Sequence, residues 1–483
     1  MSDANSCITS IILVNYNKLE DTKKCVESIR RHTERGDYEL IVANNGSTDD
    51  MAEWAHSQSD ILVIKNNGYD SAFPKICNLG IAAASGGLIM LLDNDTVVTP
   101  GWLDGLKRCI VSDSRIGAVG PVSNGSPYWS SIPVGYKTIE EMELFAAAMN
   151  ATPDKTKWEE RVKLLGHCLL MRREACEKAG PLDESAGMEG FIFDDYGLRL
   201  RLAGYKLMLC GDTFIHRISC GSDGSHLPIN KHTFKENADS FVRKWGFHPS
   251  EATDIRMDLI AFIERESHGY KREACRVMEI GCGCGATLLH VKKIFPKATW
   301  LGVERNNLAA SIAAASGIQM LVPNEQGDWE LPQEELDGII IGDTNARVTT
   351  PLVNRLVSLL KPNGWLIGCY ANRFYYENIR QYLDPANAEA KYQAASLYTM
   401  RELNYLYVQA GLPYVKITMA GNKPKEQLAY IRQLDRLTGE TITDELTAAY
   451  LLAYGRKAAE NANKLGGSKL TSDDNRFQNN TGI

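Results

Sequence analysis

A chain of 483 residues is too long for one ordinary hydrophobic core, so two domains with extensions are expected. Its formal charge of -7 and its dispersed Lys and Arg exclude a general nucleic-acid binder, which needs clustered cations against phosphate. No apolar run reaches the roughly 18 residues of a membrane span, and "MSDANSCITSIILVNYN" lacks the basic and apolar regions of a signal peptide, so a cytoplasmic protein without a span is expected. The 12 cysteines are scattered singly, as in a reduced intracellular enzyme. Cys282 and Cys284 form the only close pair, with no further zinc ligands nearby. "RRHTER" and "KLLGHCLLMRRE" read as solvated margins of helices or strands.

In chain order, "SIILVNY" reads as a strand, residues 18–31 as a helix with Cys25 and Ile29 at helical spacing, and "YELIVANN" as a strand entering a turn. "DILVIKN", a helical segment over residues 76–84 and "GLIMLL" continue the series. This alternation predicts βαβ units on a mostly parallel sheet, with ligands gathered at the carboxyl ends of the strands. Three such ends carry polar clusters, at residues 15–17, 44–49 and 93–95. "KWGFHPSEATD" then supplies turn residues, and "IRMDLIAFIERESHGYKRE" reads as a connecting helix with a charged hinge. A second alternating series follows: "CRVMEI", a glycine-rich turn, a helix, "ATWLGVE", "NNLAASIAAASG", "LDGIIIG", a helix over residues 351–360, and "GWLIGCY".

The expected fold class is therefore α/β with two open-sheet domains. The first covers residues 1–248 and the second residues 273–420, joined by a helical linker at 249–272. Helices are expected over residues 421–463, and a flexible tail over 464–483, which is too poor in apolar residues to fold.

"LLDNDTVVTPGW" carries the sharpest signal, an apolar run ending in Asp93 and Asp95. Such a pair caps a turn or holds a cation, and alone it is weak evidence for either. "SIILVNYNKLEDTKKCVESI", "YELIVANNGSTDD", "GLIMLLDNDTVVTPGWL" and "FDDYGLRLRLAGYKLMLCGDTFIH" together resemble family 2 glycosyltransferases of the GT-A fold over roughly residues 8–246.

The resemblance implies a nucleotide-sugar donor and Mn²⁺ or Mg²⁺, which neutralises the departing diphosphate. Asp95 is then the direct ligand, Asp93 approaches the ribose or the metal shell, and His216 is a further metal or diphosphate ligand. A satisfied structural histidine is the other reading of His216. Asp194 and Asp195 suit the first turn of a helix on electrostatic grounds alone. The resemblance implies that one is the general base of a single inverting displacement, Asp195 in preference, with Asp194 beside it in the acceptor site. Asn17 and the "NNGSTDD" turn match positions that face the base and ribose. Asn44 stands where the family usually has an acid, which leaves dTDP or GDP open beside the foremost expectation, UDP. Asp49 reads as a helix cap, and Lys75 as a phosphate contact or a solvated lysine. Trp102 and "GSPYWSSIPVGY" offer rings either to the core or to an acceptor, which would be a glycan or a protein.

In the second series, Glu279, Gly281, Gly283 and Gly285 lie between a strand and a helix, and Glu304 ends the next strand. Glycines permit a tight turn and close backbone approach, and an acid at the second strand end suits a ribose diol. With "LDGIIIGD" and "LKPNGWLIG", residues 273–420 resemble class I S-adenosylmethionine-dependent methyltransferases, which implies S-adenosylmethionine binding. "GDTNARVTT" offers no obvious base, and Asp343 is the one acid well placed. The main expectation is a glycosyltransferase fused to a methyltransferase-like domain acting on the same product. The alternatives are a methyltransferase whose N-terminal half only binds substrate, and a non-catalytic assembly subunit.

Overall fold

The computed structural model describes residues 8–66, 73–185, 190–218, 231–266, 274–322, 334–342, 348–383, 397–421 and 443–459. By packing, the chain divides into two compact units: Met1–Glu330 with Ile340–Ala346, and Leu331–Ile339 with Arg347–Ile483.

The first unit holds a nine-stranded sheet made of β1 (Thr9–Asn15), β2 (Tyr38–Asn44), β3 (Ile61–Lys65), β4 (Leu88–Asp93), β5 (Thr96–Val97), β6 (Ile116–Ser123), β7 (Trp158–Arg161), β8 (Cys168–Arg172) and β9 (Lys206–Arg217). The order is β3-β2-β1-β4-β8-β6-β9-β5, with β7 against β9. β3, β2, β1 and β4 are parallel, as the alternation predicts. β8 runs antiparallel to β4 and β6, so this half of the sheet is mixed rather than mostly parallel. A strand buried on both faces is a continuous apolar run in either direction, which is why its sequence did not reveal the reversal.

β1 is buried along its whole length and feeds both faces of the sheet. Ile12 and Val14 pack with Ile41 and Leu91 on one face, while Ile11 and Leu13 pack with Leu40, Val42 and Leu92 on the other. This is the two-residue period of a pleated strand applied to an entirely apolar sequence. The helix Leu19–His32 carries Glu20 and Asp21 in its first turn and Arg30, Arg31 and His32 in its last, both favourable to its macrodipole. Its cap comes from the loop after β2, where the Asp49 carboxylate accepts from Leu19 N at 3.1 Å.

The stretch read as a solvated margin, "KLLGHCLLMRRE", is instead a central strand and its entry. Lys163 and His167 are buried. Arg172 Nε donates to Ile116 O at 2.8 Å, and Arg173 Nε donates to Gly86 O at 2.8 Å. These cations satisfy main-chain carbonyls at strand ends, a role that charge count alone does not reveal.

The same unit contains β10 (Arg276–Ile280), β11 (Thr299–Val303) and β12 (Gln319–Met320), parallel and in the order β12-β11-β10. Next comes β13 (Leu336–Ile341), after which Gly342 N donates to Ile280 O at 3.0 Å. Packing does not divide the chain at the expected linker, because Val162, Leu198, Phe241 and Trp245 share one apolar cluster with Cys284, Leu289 and Ile312.

The second unit contains β14 (Leu360–Asn372), β15 (Leu397–Tyr398), β16 (Tyr414–Ala420) and β17 (Tyr450–Arg456) in the order β14-β17-β16, with β15 against β14. β17 is antiparallel to both of its neighbours. The expected C-terminal helices are thus corrected in part: Thr443–Thr447 is a short helix, but Tyr450–Arg456 is a buried strand. A short apolar run fits either state by periodicity, and here hydrogen bonding on both edges decides. Residues 422–442, the tail at 464–483 and the hinge at 267–273 lie outside the described residues. The chain is α/β, with two open, mixed sheets flanked by helices.

Leu91 is 1% exposed, two residues back from Asp93 at the strand end. Leu91→Ala is expected to lower stability by about 2–5 kcal/mol in urea unfolding. A loss under about 1 kcal/mol would show that this strand is not held by its core.

Candidate functional site

Register brings the three predicted polar ends together. In the parallel pairing Asn15 faces Asn44 across β1 and β2, and Val14 faces Asp93 across β1 and β4. The loops beyond are stitched by side chains. Ser47 Oγ donates to Asn15 Oδ1 at 2.7 Å, and Asn17 N donates to Ser47 Oγ at 2.9 Å. Asn17 Oδ1 accepts from Thr48 N at 2.9 Å, and Asn94 Nδ2 donates to Thr22 Oγ1 at 3.2 Å. Asn17 and Lys18 sit at φ 57° and 60°, the left-handed region that asparagine tolerates better than most side chains. Asn44 is buried, and its Oδ1 accepts from Ser47 N at 2.9 Å, closing the turn three residues on. An aspartate would close the same turn, so the departure at this position preserves the loop. Tyr16 is 54% exposed beside this turn. Lys75 is exposed on the helix Phe73–Ala83, and Trp102 is fully buried, with Nε1 donating to Thr33 Oγ1 at 3.1 Å, so it belongs to the core.

Asp93 and Asp95 are 2% and 5% exposed. Asp93 N donates to His167 O at 2.9 Å. Burial raises the thiol pKa values of Cys25, Cys77 and Cys168, and the charge of Asp93 raises each further. β5 pairs antiparallel with β9, setting Thr96 opposite Arg217 and Val97 opposite His216. Asp95 is therefore drawn to the end of β9: its carbonyl accepts from Ile218 N at 2.8 Å, and its Oδ2 accepts from Arg217 Nη2 at 2.9 Å. The pair is buried on both sides, so Arg217 offsets much of the cost of enclosing the Asp95 charge.

His216 Nδ1 lies 2.7 Å from Tyr136 Oη, and the two rings meet edge-on at 5.6 Å. Burial pushes His216 below the ordinary histidine pKa, favouring neutral imidazole. Fixing one ring nitrogen through a hydroxyl orients the other, as in histidines that ligate metals. Among the described residues no three His, Cys, Asp or Glu side chains converge as a protein-only cage for a metal ion.

Asp194 and Asp195 open the helix Ile192–Leu202, as predicted, but both are enclosed. Asp195 is 0% exposed and accepts from Arg199 Nε at 2.9 Å, Trp245 Nε1 at 3.0 Å and Lys244 Nζ at 2.5 Å. Asp194 Oδ1 accepts from Lys163 Nζ at 2.7 Å, and the same lysine reaches Asp254 Oδ1 at 2.9 Å. Burial raises the Asp194 pKa above the usual carboxylate range, partly offset by Lys163. Lys163 also stands over the Tyr128 ring, 3.5 Å from its centroid. Arg217, Lys163 and His167 were not among the sequence candidates. Arg217 and Lys163 pair with candidate acids, and their signal was a basic residue inside an apolar strand pattern.

Around β10, Gly281, Gly283 and Gly285 adopt φ 70°, 54° and 84°, so the turn depends on glycine. A Cβ at Gly285 would lie 2.3 Å from Ile318 Cδ1, so this glycine serves close packing of the helix Ala286–Ile294. Glu304 ends β11 and reaches back over the turn: Oε2 accepts from Gly283 N at 2.9 Å and Oε1 from Asn306 N at 2.8 Å. Glu279 is 2% exposed, and its Oε2 has no hydrogen-bond partner among the described residues. Burial raises its pKa to about 8, opposed by Arg256 and reinforced by Glu304. Asp343 lies outside the described residues.

Residues 10–180 match the family model described as Glycosyl transferase family 2. An uncharacterized protein of Sinorhizobium fredii is 24% identical over 268 residues, covering 50% of this chain and 28% of its own length. A chondroitin synthase of Escherichia coli is 26% identical over 115 residues, covering 23% of this chain and 17% of its own. The chain thus spans less than a third of the length of either relative. Among solved structures, a SAM dependent methyltransferase from Archaeoglobus fulgidus aligns with 18% identity and a TM-score of 0.31, over 45% of this chain and 99% of that one. No helix among the described residues is long and apolar enough to cross a membrane.

Glu279 gives a pH test of the second glycine turn. With a folded pKa of about 8 against an ordinary value of 4.5, the folded chain keeps a proton that the unfolded chain releases. The stability from this group is full at low pH and is lost as pH rises through that window. Urea unfolding at pH 5 and pH 8 should show a steeper loss for wild type than for Glu279→Gln, and equal slopes would refute the enclosure of Glu279.

Proposed function

We propose that the N-terminal half is a metal-dependent inverting glycosyltransferase that moves a sugar from a nucleotide donor, a UDP-sugar foremost, to a glycan or protein acceptor. The observation that supports this reading is the burial of Asp93 and Asp95 at the end of β4, level by register with the Asn15 and Asn44 strand ends, while β5 pairs with the strand that carries His216. Asp95 and His216 would hold Mn²⁺ or Mg²⁺, with Asp93 in its shell or on the ribose, and the cation would supply charge neutralisation at the departing diphosphate. Asn17 and Asn44 shape the loops that would receive the nucleoside.

The base of the displacement is reassigned here. Asp195 has no exposed surface and three donors, which supports an anchoring role tying the helix Ile192–Leu202 to Trp245. Asp194, with a pKa raised by burial and a lysine to steady it, is the better acceptor of a hydroxyl proton.

We further propose that the glycine turn at Gly281, Gly283 and Gly285, closed by Glu304, binds S-adenosylmethionine, with the acid toward the ribose. Glu279 acts from beneath the turn rather than on the ligand, consistent with its enclosure. Bound there, S-adenosylmethionine would supply an electrophilic methyl group for the same product. Calorimetry should show binding by wild type that is lost when Glu304→Gln leaves Gly283 N without its carboxylate. Absence of heat from wild type would contradict a working pocket.

The glycosyltransferase reading is tested by incubating the protein with a panel of nucleotide sugars and Mn²⁺ and measuring released nucleotide. Chelator and Asp95→Asn are each expected to lower release at least about 100-fold. Asp194→Asn should lower kcat by about 100-fold or more, and the wild-type rate should fall as pH drops through a pKa above the usual carboxylate range. Release that survives both the chelator and Asp95→Asn would refute the metal site.

A further inference from the structure

The loop after β6 runs along the whole candidate site. Asn124 holds Arg217 at both main-chain groups, accepting from its N at 2.7 Å and donating to its O at 3.1 Å. Ser126 Oγ lies 3.5 Å from Nε2 of His167, whose carbonyl receives Asp93 N. Tyr128 underlies the Lys163 ammonium, which holds Asp194. Between residues 124 and 128 the loop therefore passes from the Asp95 end of the site to the Asp194 end.

The next residue is Trp129, 60% exposed. Among the described residues no other tryptophan is exposed to that class, and Trp102 and Trp245 are buried. Tyr128 and Trp129 have φ 56° and 57°, a conformation unfavourable for large side chains. Arg161 enforces it: Nη1 donates to Tyr128 O at 3.2 Å and Nη2 to Trp129 O at 3.4 Å. The guanidinium is itself buried and fixed by Glu159 at 3.0 Å. The fold thus commits a buried ion pair and two left-handed residues to the segment that carries this exposed indole, one residue on from the ring under Lys163.

We propose that Trp129 is the platform on which a pyranose ring of the acceptor stacks, so that the acceptor is a glycan and not a protein side chain. The face of a pyranose presents C–H groups to an aromatic surface, while its hydroxyls lie at the rim, free to reach polar groups. A sugar stacked on Trp129 would sit on the loop whose preceding residue, Tyr128, lies under the lysine that holds Asp194, the residue proposed to take the hydroxyl proton. This assignment rests on the glycosyltransferase reading above and narrows it to one acceptor class.

Two measurements test it. In the first, methyl glycosides and short oligosaccharides of glucose, galactose, mannose and N-acetylglucosamine are titrated into the full chain while acrylamide quenching of tryptophan fluorescence is followed. At least one saccharide should protect an exposed tryptophan, and the protected fraction should vanish in Trp129→Phe, which removes the fluorophore but keeps an aromatic ring. In the second, kinetics with the saccharide that gives most turnover should show acceptor KM rising about tenfold in Trp129→Ala, far more than donor KM, with Trp129→Phe restoring most of the loss. The ring is exposed, so these variants should fold, and unchanged unfolding midpoints confirm it. The proposal is overturned if no saccharide alters quenching, if acceptor KM is unmoved in Trp129→Ala, or if only peptide acceptors support nucleotide release. Saccharide protection without turnover of any donor would instead leave the platform standing and remove the glycosyltransferase reading.

Discussion

The structure depends on the shared register of three buried parallel strands. β1 is flanked by β2 and β4, and all three have apolar interiors that face cores on both sides. Polar side chains can appear only where the strands end. The pairings of Asn15 with Asn44 and of Val14 with Asp93 bring those ends to one level. A one-residue slip of β4 would turn Asp93 to the opposite face and move apolar residues out of their core, so burial fixes the site as strongly as it fixes the sheet. The placement of Asp95 then follows from the short antiparallel pairing of β5 with β9, which delivers Arg217 to its carboxylate.

Enclosing so many charges is costly, and the chain answers each carboxylate differently. Asp95 has one arginine, Asp195 has an arginine, a lysine and an indole N–H, and Asp194 shares Lys163 with Asp254. The difference bears on chemistry. Asp195 is surrounded by donors and sealed from solvent, whereas burial raises the Asp194 pKa and Lys163 and Thr253 partly offset that. The loop from Asn124 to Tyr128 contacts both ends of this arrangement.

Much of this was legible in the sequence. The period-free apolar runs "SIILVNY" and "GLIMLL" announced buried strands, and the polar residues following them marked the sheet end at which they gather. Glycines 281, 283 and 285 announced a turn that needs positive φ. What escaped was set by partners distant in sequence. Lys163, His167 and Arg217 look like surface residues until β8 and β9 are known to be central, and the Lys244 and Trp245 donors to Asp195 lie some 50 residues away from it. β17 escaped because "YLLAYGR" has no period that separates strand from helix; only its two neighbours define it. The role of Trp129 was hidden among aromatic residues that could equally have filled a core, until its backbone and exposure were seen.

The central claim is that Asp93 and Asp95 act on a nucleoside diphosphate through a shared cation. Its most direct test is a calorimetric titration of UDP into the full chain, with Mn²⁺ present and with Mn²⁺ replaced by chelator, in wild type and in Asp93→Asn/Asp95→Asn. The account predicts metal-dependent UDP binding in wild type and none in the double variant. UDP binding of equal affinity with and without Mn²⁺, unchanged by the substitutions, would contradict it.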